Sequence, residues 1–415
     1  MKDNQPHITI IGAGVSGLTA AVTLQNAGYK ATVYDSNAFV GGRVSSDVSM
    51  GLILDHGFQV MLDAYPAVNE FLDTEALKLR KFVPGSVIFK DGKTHKIGDP
   101  TRDSSFLWST ITAGVGSLKD KWLVFSLSRK LKQKSIQDIF NTPETTTKIY
   151  LENYGFSNKM IASFFTPFYT GIFLEADLAT SSRMFEYVFK MFTEGNATIP
   201  AGGIKAIPEQ LAAQLPQDSI HLHKKVTAVV GNEISLENGE KIKADYTIVA
   251  TQAGDLISNL PDENMSWHEV TVLYFETDHA GLDQSIIGLI ANDDVLINNF
   301  HFLNDVFDNH RNIISVSVIK KHNLSEQQLI ERVVKELREE TQIKANELVK
   351  LYHIKKALPQ LDSLNYCMSP SETQLTDHVF LAGDQLSNGS LNAAMLNGKA
   401  AANAVISKIE GSVIL

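Results

Sequence analysis

The chain has 415 residues and a mass of 45.7 kDa, which exceeds the usual size of one hydrophobic core, so we expect two domains. Hydrophobic residues make up 44% and charged residues 20% of it, which excludes a disordered or fibrous protein. The net charge of −10 argues against a nucleic-acid partner. The single cysteine, Cys367, excludes an internal disulfide and a multi-cysteine metal site. We therefore expect no nucleic acid and no metal.

The first part of the chain predicts a strand–helix–strand unit. Residues 7–11, with three isoleucines, indicate a short buried strand, and the glycine-rich segment 12–17 follows directly. Residues 18–28 predict a helix that ends at a glycine, and 31–34 predict a second strand that ends at Asp35. This order is that of a βαβ unit.

The glycine spacing inside this unit is that of the dinucleotide-binding fingerprint. Gly12 makes the tight turn, Gly14 admits a pyrophosphate, and Gly17 lets the helix pack closely on the strand. The helix N-terminus offers amide donors and partial positive charge to the phosphates, and Asp35 accepts hydrogen bonds from ribose hydroxyls. The fingerprint predicts a dinucleotide but does not choose between NAD and FAD.

The residues after the second strand make that choice through a resemblance. Gly41-Gly42-Arg43 comes next, and Asp55-His56-Gly57 follows it. Here the sequence resembles the flavin amine oxidase and phytoene desaturase superfamily, in which the second strand leads directly into a Gly-Gly-Arg turn. The resemblance implies that Arg43 reaches the FAD diphosphate and that Gly42 and Gly57 let the backbone approach the flavin. An arginine on a diphosphate makes charge-assisted hydrogen bonds.

Later motifs extend the resemblance over nearly the whole chain. Residues 198–211 resemble the family's central glycine pair before a helix, and a predicted hairpin over 226–236 follows. The resemblance places the backbone of Val226 against the adenine side of the cofactor.

A further motif lies near the C-terminus, where a predicted strand ends in Gly383-Asp384 and the last helix begins soon after. The resemblance assigns this pair, through Asp384, to the ribityl chain or the diphosphate. It assigns the amides near Ala394 and Met395 to the carbonyl edge of the isoalloxazine ring, where a helix N-terminus stabilises negative charge on the reduced flavin.

The resemblance implies an α/β fold, with a Rossmann-like (GR2-type) FAD-binding domain and an α+β substrate domain whose mixed sheet is covered by helices. The motifs place the discontinuous FAD-binding domain in 1–75, 195–255 and 365–415, which leaves 76–194 and 256–364 for the substrate-binding domain. Within the latter, a capping box of Ser325 and Gln328 predicts a helix through Glu340. We expect FAD to be bound non-covalently, since Cys367 lies too close to Gly383 for the position where some family members attach the flavin.

Residues 164–192 contain seven of the 21 phenylalanines of the chain. Aromatic residues at helical spacing usually pack inward, so we expect about two-thirds of these side chains in a helical core. The rest fit a flavin-facing channel for an apolar substrate. Arg183 in this segment either forms a structural salt bridge or anchors a polar substrate group.

The residues proposed for catalysis are few. His56 is adjacent to Gly57 in the segment expected near the flavin, and a histidine titrates near neutral pH, so it is a candidate base. Tyr169 and His268 are weaker candidates. No Ser/His/Asp set is evident.

Residues 119–134 are basic in an otherwise acidic protein, and Trp122, Leu123, Phe125, Leu127 and Leu131 could share one apolar side. A helix of this composition is either a solvated helix of the substrate domain or a peripheral membrane contact. The first residues lack the long apolar run of a secretory signal, so we expect a cytoplasmic protein that could contact the inner face of a membrane.

The function that the resemblance implies is an FAD-dependent dehydrogenase or desaturase. Hydride would pass from an isoprenoid- or polyene-like substrate to flavin N5, and oxygen or a quinone would be the electron acceptor. Flavin amine oxidase, protoporphyrinogen oxidase and a redox-neutral isomerase are alternatives. Amine oxidases usually carry a lysine in the strand that here spans 267–275, and this segment has none. A non-catalytic prenyl-protein binding module, like the GDP dissociation inhibitors, is an alternative of another class that the intact glycine motifs disfavour.

Overall fold

The structure, a computed structural model, describes residues 5–100, 102–258, 260, 265–282, 284–307 and 311–413. The strands of these residues are, in chain order, β1 (Ile8–Ile11), β2 (Ala31–Tyr34), β3 (Ser46–Ser49), β4 (Leu52–Asp55), β5 (Met61–Leu62), β6 (Arg80–Lys81), β7 (Gly85–Lys90), β8 (Lys93–Gly98), β9 (Ala197–Ile199), β10 (Ile220–His221), β11 (Val226–Val230), β12 (Glu233–Leu236), β13 (Lys241–Lys243), β14 (Tyr246–Val249), β15 (Trp267–Thr277), β16 (Ile287–Ile290), β17 (Ile297–Phe302), β18 (Ile313–Val318), β19 (Ala345–Pro359) and β20 (Val379–Leu381).

The α-helices of the same residues are, in chain order, α1 (Val15–Asn26), α2 (Pro66–Phe71), α3 (Phe106–Thr112), α4 (Leu118–Gln133), α5 (Ile136–Asn141), α6 (Thr147–Tyr154), α7 (Asn158–Met160), α8 (Thr166–Phe173), α9 (Ser182–Glu194), α10 (Ala206–Ala213), α11 (Glu326–Thr341), α12 (Pro370–Thr373) and α13 (Leu391–Glu410). A π-helical turn, Ile161–Phe165, connects α7 to α8.

A five-stranded parallel sheet forms one part of the molecule, with the strand order β10-β2-β1-β14-β20. Ile8 and Ile10 of the central strand are fully buried, as expected for a parallel sheet covered on both faces. Helix α1 packs against α13. Their backbones approach closely because Gly398 has no side chain, and a Cβ there would lie 2.2 Å from the carbonyl oxygen of Ser16.

A seven-stranded sheet forms the second part, with the order β19-β15-β18-β17-β16-β7-β8, and it is antiparallel except for the β16–β7 pair. Phe300 and Phe302 point to one face, where they pack with Val333 of α11 in an apolar core. Helix α11 begins at the reciprocal capping box of Ser325 and Gln328, which confirms the predicted helix start. The opposite face of this sheet is turned toward the segments that carry the predicted FAD-binding motifs.

The mixed α/β fold predicted from the sequence is confirmed. All strands of the parallel sheet fall within 1–75, 195–255 and 365–415, and all strands of the seven-stranded sheet fall within 76–194 and 256–364. The strand β6 is an exception to this separation because it pairs with β9. The two-domain division remains a proposal, which the membership of the two large sheets supports.

The basic segment 119–134 forms helix α4, whose apolar residues do not share one side. Leu127 and Leu131 are fully buried and Leu123 nearly so, whereas Trp122 and Phe125 are exposed. The expectation of a single apolar side is therefore wrong, because Leu123, Leu127 and Leu131 form an inward stripe with a spacing of four residues, and neither aromatic residue has that spacing. Among the described residues, no helix combines the length and hydropathy needed to cross a bilayer.

Candidate cofactor and substrate site

A cavity of about 1780 Å³ extends from the carboxyl ends of β1 and β2 to the seven-stranded sheet. Ligands of open parallel sheets bind at these strand ends. Most residues that the sequence assigned to the cofactor border the cavity: Gly12, Gly14, Asp35, Gly42, Arg43, Gly57, Val226, Gly383, Asp384 and Ala394. Gly17 and Met395 are not part of its lining. The cavity therefore brings together motifs that lie far apart in the sequence.

The three fingerprint glycines are glycines for three different reasons. Gly12 has a φ of +105°, and a Cβ there would lie 2.8 Å from the carbonyl oxygen of Ala250. A Cβ at Gly17 would lie 2.0 Å from the carbonyl oxygen of Gly12, so this glycine serves helix–strand packing. Gly14 has an ordinary φ of −72°, and a Cβ there would meet no atom within 4 Å. Since neither conformation nor packing requires a glycine at 14, the open space beside it fits the approach of a pyrophosphate.

Asp35 is held in place by two backbone amides. Its Oδ2 accepts a hydrogen bond from the Ala13 amide at 2.7 Å, and its Oδ1 accepts one from the Asn37 amide at 2.8 Å. Each carboxylate oxygen has a further lone pair. The carboxylate is thus fixed at the cavity with capacity to accept hydrogen bonds from ribose hydroxyls.

The Gly-Gly-Arg turn lies directly against the fingerprint turn. The Gly41 amide donates to the carbonyl oxygen of Ala13 at 2.8 Å. The guanidinium of Arg43 forms an ion pair with Asp384 and lies 5.1 Å from the ring centre of Trp267. Arg43 and Asp384 thus meet in the cavity wall, where an arginine presents a forked donor to a phosphate and the carboxylate orients it.

Val226 begins the hairpin strand β11 and borders the cavity beside Lys224. The Lys224 amide donates to the carbonyl oxygen of Asp35 at 2.8 Å, which ties this strand to the end of β2. The backbone of Val226 consequently lies at the same end of the cavity as Asp35. The adenine contact assigned to Val226 remains a proposal.

The start of α13 requires a correction. The Ala394 amide donates to the carbonyl oxygen of Ser390 at 2.9 Å, and Met395 is fully buried and outside the cavity lining. Both residues lie inside the helix, where the amides are used by intrahelical hydrogen bonds, so neither amide is available to a ligand. The first turn, with Leu391 and Asn392, holds the amides that α-helical geometry leaves free.

His56 borders the cavity next to Gly57. Its Nε2 lies 3.0 Å from Oδ1 of Asp47, although the angle is poor for a hydrogen bond, and its ring lies 4.5 Å from that of Tyr352. The Tyr352 hydroxyl donates to the other oxygen of Asp47 at 2.7 Å. A carboxylate and a phenol ring thus hold the imidazole at the cavity wall.

Tyr169 does not border the cavity. It is 2% exposed and packs against Phe165, Phe173 and Phe185. Burial raises the pKa of its hydroxyl well above the ordinary value. Its interpretation as a catalytic residue is set aside, because the helical spacing that places it at 169 turns it into the core rather than toward the cavity.

The aromatic side chains of residues 164–192 divide between the helical core and the cavity wall, as their spacing suggested. Phe168, Phe173 and Phe192 border the cavity. Arg183 donates to the carbonyl oxygens of Thr142 and Leu364 and therefore has a structural role.

Two further residues with reactive side chains, His268 and Cys367, have pKa values shifted by burial. His268 borders the cavity, and burial lowers its pKa. Cys367 is a free thiol, and burial raises its pKa. A protonated thiol is the less reactive form of cysteine.

The sequence did not indicate a buried polar face on strands β17 and β18. Asn299 and Ser317 border the cavity, and His301 lies on the same face two residues after Asn299. All three are at most 4% exposed, and Asn299 Oδ1, His301 Nδ1 and Ser317 Oγ accept or donate no hydrogen bond within the described part of the chain. The alternating pattern of 297–302 and 313–318 is the available signal, but it is equally typical of a strand with one solvated face.

The sequence of this chain matches the family model "Flavin containing amine oxidoreductase" over residues 15–406. It is 28% identical to protoporphyrinogen oxidase 2, chloroplastic/mitochondrial, of Arabidopsis thaliana over 165 residues, which are 40% of this chain and 32% of that protein. It is 30% identical to an L-amino-acid oxidase of Daboia russelii over 162 residues, 37% of this chain and 32% of that protein. The chain thus matches about a third of the length of these curated relatives.

The fold of this chain is similar to that of a CLA-producing fatty acid isomerase from P. acnes, with a TM-score of 0.73 and 16% identity over 97% of this chain and 99% of the other. At this identity the likeness concerns the fold. Together with the match over nearly the whole chain and a cavity formed by the dinucleotide motifs, it leads to one conclusion: the chain belongs to the flavin containing amine oxidoreductase family, whose members are FAD-dependent oxidoreductases.

Proposed function

We propose that this chain binds FAD non-covalently in the cavity and oxidises an apolar substrate as a dehydrogenase or desaturase. The observation that carries this proposal is the composition of the cavity beyond the cofactor motifs. Aromatic and aliphatic side chains line a part of the cavity there, among them Phe58, Phe168, Phe192, Ile287 and Leu289. Such walls bind hydrocarbon by burying its surface and exclude water from the reacting carbon.

In the proposed reaction the substrate loses a hydride from one carbon and a proton from its neighbour, which leaves a carbon–carbon double bond. FAD, when bound, would supply the hydride acceptor, and oxygen or a quinone would take up the two electrons. The role of the chain is to hold the C–H bond in place in a dry cavity.

We propose His56 as the group that accepts the proton, since it borders the cavity and Asp47 and Tyr352 fix its ring. A histidine oriented by a carboxylate is a common general base. The rate of anaerobic flavin bleaching in His56→Gln, followed against pH, tests this role. An unchanged pH profile contradicts it.

Two alternatives are disfavoured by particular residues. The strand β15, where amine oxidases usually place a lysine, contains none. The open space beside Gly14 disfavours a non-catalytic binding module, because a protein that binds no dinucleotide does not require a glycine at this position.

The substrate class is tested by anaerobic mixing of the yellow holoprotein with polyenes, porphyrinogens and amines. Bleaching of the flavin by a polyene supports the proposal. Bleaching by an amine or a porphyrinogen alone shows that the apolar walls serve a different substrate and overturns the assignment.

We further propose that helices α3 and α4 contact a membrane surface with anionic lipids. Trp108 is 75% and Trp122 is 64% exposed, and further apolar residues of the same two helices are exposed: Leu107, Ile111, Leu118 and Phe125. Helix α4 also carries Lys119, Lys121, Arg129, Lys130 and Lys132, whereas its acid, Asp120, is buried in the capping box. Exposed tryptophans beside lysines complement an anionic lipid surface.

A further inference from the structure

The amide of Asn299 presents an acceptor atom to the cavity, and its orientation follows from a chain of hydrogen bonds. The carbonyl oxygen of Pro167 can only accept, so the side chain of Asn298 donates to it through Nδ2, at 3.0 Å. Oδ1 of Asn298 therefore accepts from Nδ2 of Asn299, at 2.8 Å. This leaves Oδ1 of Asn299 as the atom without a partner among the described residues.

Gly171 makes the space for this chain of amides. A Cβ at this position would lie 2.8 Å from Nδ2 of Asn299 and 3.1 Å from Oδ1 of Asn298. Helix α8 thus approaches β17 at a residue without a side chain, and the two amides are held rigidly at the cavity wall.

Ser317 stands directly beside Asn299, because the two residues are paired in neighbouring strands. Both border the cavity, at 3% and 2% exposure, and the hydroxyl of Ser317 also has no partner within the described ranges. The alternation of side chains places them opposite the face that packs on α11. Two adjacent polar groups are therefore buried at the cavity wall without a partner among the described residues, which is costly unless a ligand or water satisfies them.

An uncharged imidazole lies on the same face as the polar pair. The ring of His301 lies tilted against that of Phe58, with 4.4 Å between the ring centres, and burial lowers the pKa of His301 to about 3, so it is uncharged at neutral pH. An oxygen acceptor next to a hydroxyl and an uncharged imidazole does not favour a carboxylate. It favours a group that brings a hydrogen-bond donor of its own.

We propose that Asn299 and Ser317 form a polar subsite that binds a neutral hydroxyl or amide N–H group on an otherwise apolar substrate. The inference rests on the proposed function and deepens it, since it adds a donor group to the apolar substrate. Oδ1 of Asn299 accepts the hydrogen bond from this group, and the Ser317 hydroxyl donates to its oxygen.

The subsite is tested by binding of small probes to the yellow holoprotein, measured from the change in flavin absorbance. Benzyl alcohol and 2-phenylacetamide carry a donor, whereas benzyl methyl ether and toluene of similar shape do not. We expect the two donors to bind about fivefold to tenfold more tightly than the ether, the ratio for one buried hydrogen bond. Equal dissociation constants, or binding of no donor probe by protein that retains its flavin, overturn the proposal.

Asn299→Leu is expected to abolish the preference for the donor probes while toluene binding is retained. Ser317→Ala is expected to weaken the binding of benzyl alcohol and of benzyl methyl ether alike, because both offer an oxygen to the Ser317 hydroxyl. The matched control is Ser86→Ala, because Ser86 is equally buried in the same sheet, has an unsatisfied hydroxyl within the described part of the structure, and does not border the cavity. Loss of the preference in the control, or its persistence in Asn299→Leu, overturns the proposal.

A second measurement separates binding from a structural role. Since the Ser317 hydroxyl has no protein partner to lose in the described structure, Ser317→Ala is expected to keep or raise the Tm of the protein. A Tm lowered by several degrees indicates a structural hydroxyl and overturns the proposal. Colourless wild-type protein would instead refute the proposed flavin function, so the two failures are distinguishable.

Discussion

Gly14 has a backbone conformation that any residue adopts, with a φ of −72° and a ψ of 174°, and it faces open space. We expect Gly14→Val to fold normally but to lose its flavin, because the added methyl groups enter the space of the pyrophosphate. Thr23→Val on the opposite end of α1, away from the cavity, is the control. The ratio of flavin to protein absorbance after purification measures the effect. Unchanged flavin content in Gly14→Val shows that the cofactor site lies elsewhere.

Asp55 precedes His56 and accepts hydrogen bonds from the Ser46 hydroxyl and the Ile204 amide. Burial raises its pKa to about 6, despite the hydrogen bond from Ser46, which lowers it. Its folded pKa thus exceeds the unfolded value of about 3.8, so its contribution to stability is full below that value and is lost as the pH rises through 6.

Asp55→Asn keeps the acceptor oxygen and removes this titration. We therefore expect the free energy of unfolding of the wild type, relative to the variant, to increase by about 2 kcal/mol from pH 7 to pH 4. Urea unfolding of both proteins across this range measures it. His301, which titrates with the opposite sign, is present in both proteins and cancels in the difference. A difference that is independent of pH shows that the carboxyl is not perturbed.

At the scale of elements, helix α4 shows what a sequence pattern could and could not establish. Its N-terminal capping box and its buried residues Leu123, Leu127 and Leu131 produce an ordinary amphipathic helix. Trp122 of α4 and Trp108 of α3 are both exposed, and the sequence did not indicate the exposure of either.

The membrane proposal is tested on this two-helix surface. We expect the protein to co-sediment with vesicles of phosphatidylcholine and phosphatidylserine, but much less with phosphatidylcholine alone, because the lysines of α4 require anionic lipid. The double variant Trp108→Ser, Trp122→Ser should lose most of this binding. Val230→Ser, a change at an exposed apolar residue of the β11–β12 hairpin, is the control. Equal binding by the double variant and the control contradicts the proposal.

The start of α13 and the strand β17 show why parts of the site escaped prediction. The last helix was correctly expected after Ser390, but the amides that remain free depend on the exact helix start, which the caps of Ser390 determine. Asn299 lies in β17, a strand that was not predicted from the sequence. Whether its polar face meets solvent or a second layer depends on α8 and on the segment around Phe58, which lie far away in the sequence.

At the scale of the whole molecule, the order of the motifs was sufficient to predict the parallel sheet and one end of the cavity. In a βαβ unit the turns that follow the parallel strands lie at the same edge of the sheet. Gly12 and Asp35, which follow the first and second strands, therefore meet at the cavity. The other end is formed where the seven-stranded sheet meets the helical layer. That contact arises from long-range packing, so neither its shape nor its polar pair could be derived from spacing along the chain.

The central claim is that this cavity holds FAD without a covalent bond. The most direct measurement is the absorbance spectrum of the purified protein, incubated with FAD if needed, followed by acid denaturation and chromatography of the supernatant. The account predicts yellow protein with a flavin spectrum and release of intact FAD into the supernatant. Protein that stays colourless after incubation with FAD, or flavin that remains with the precipitated chain, would contradict it.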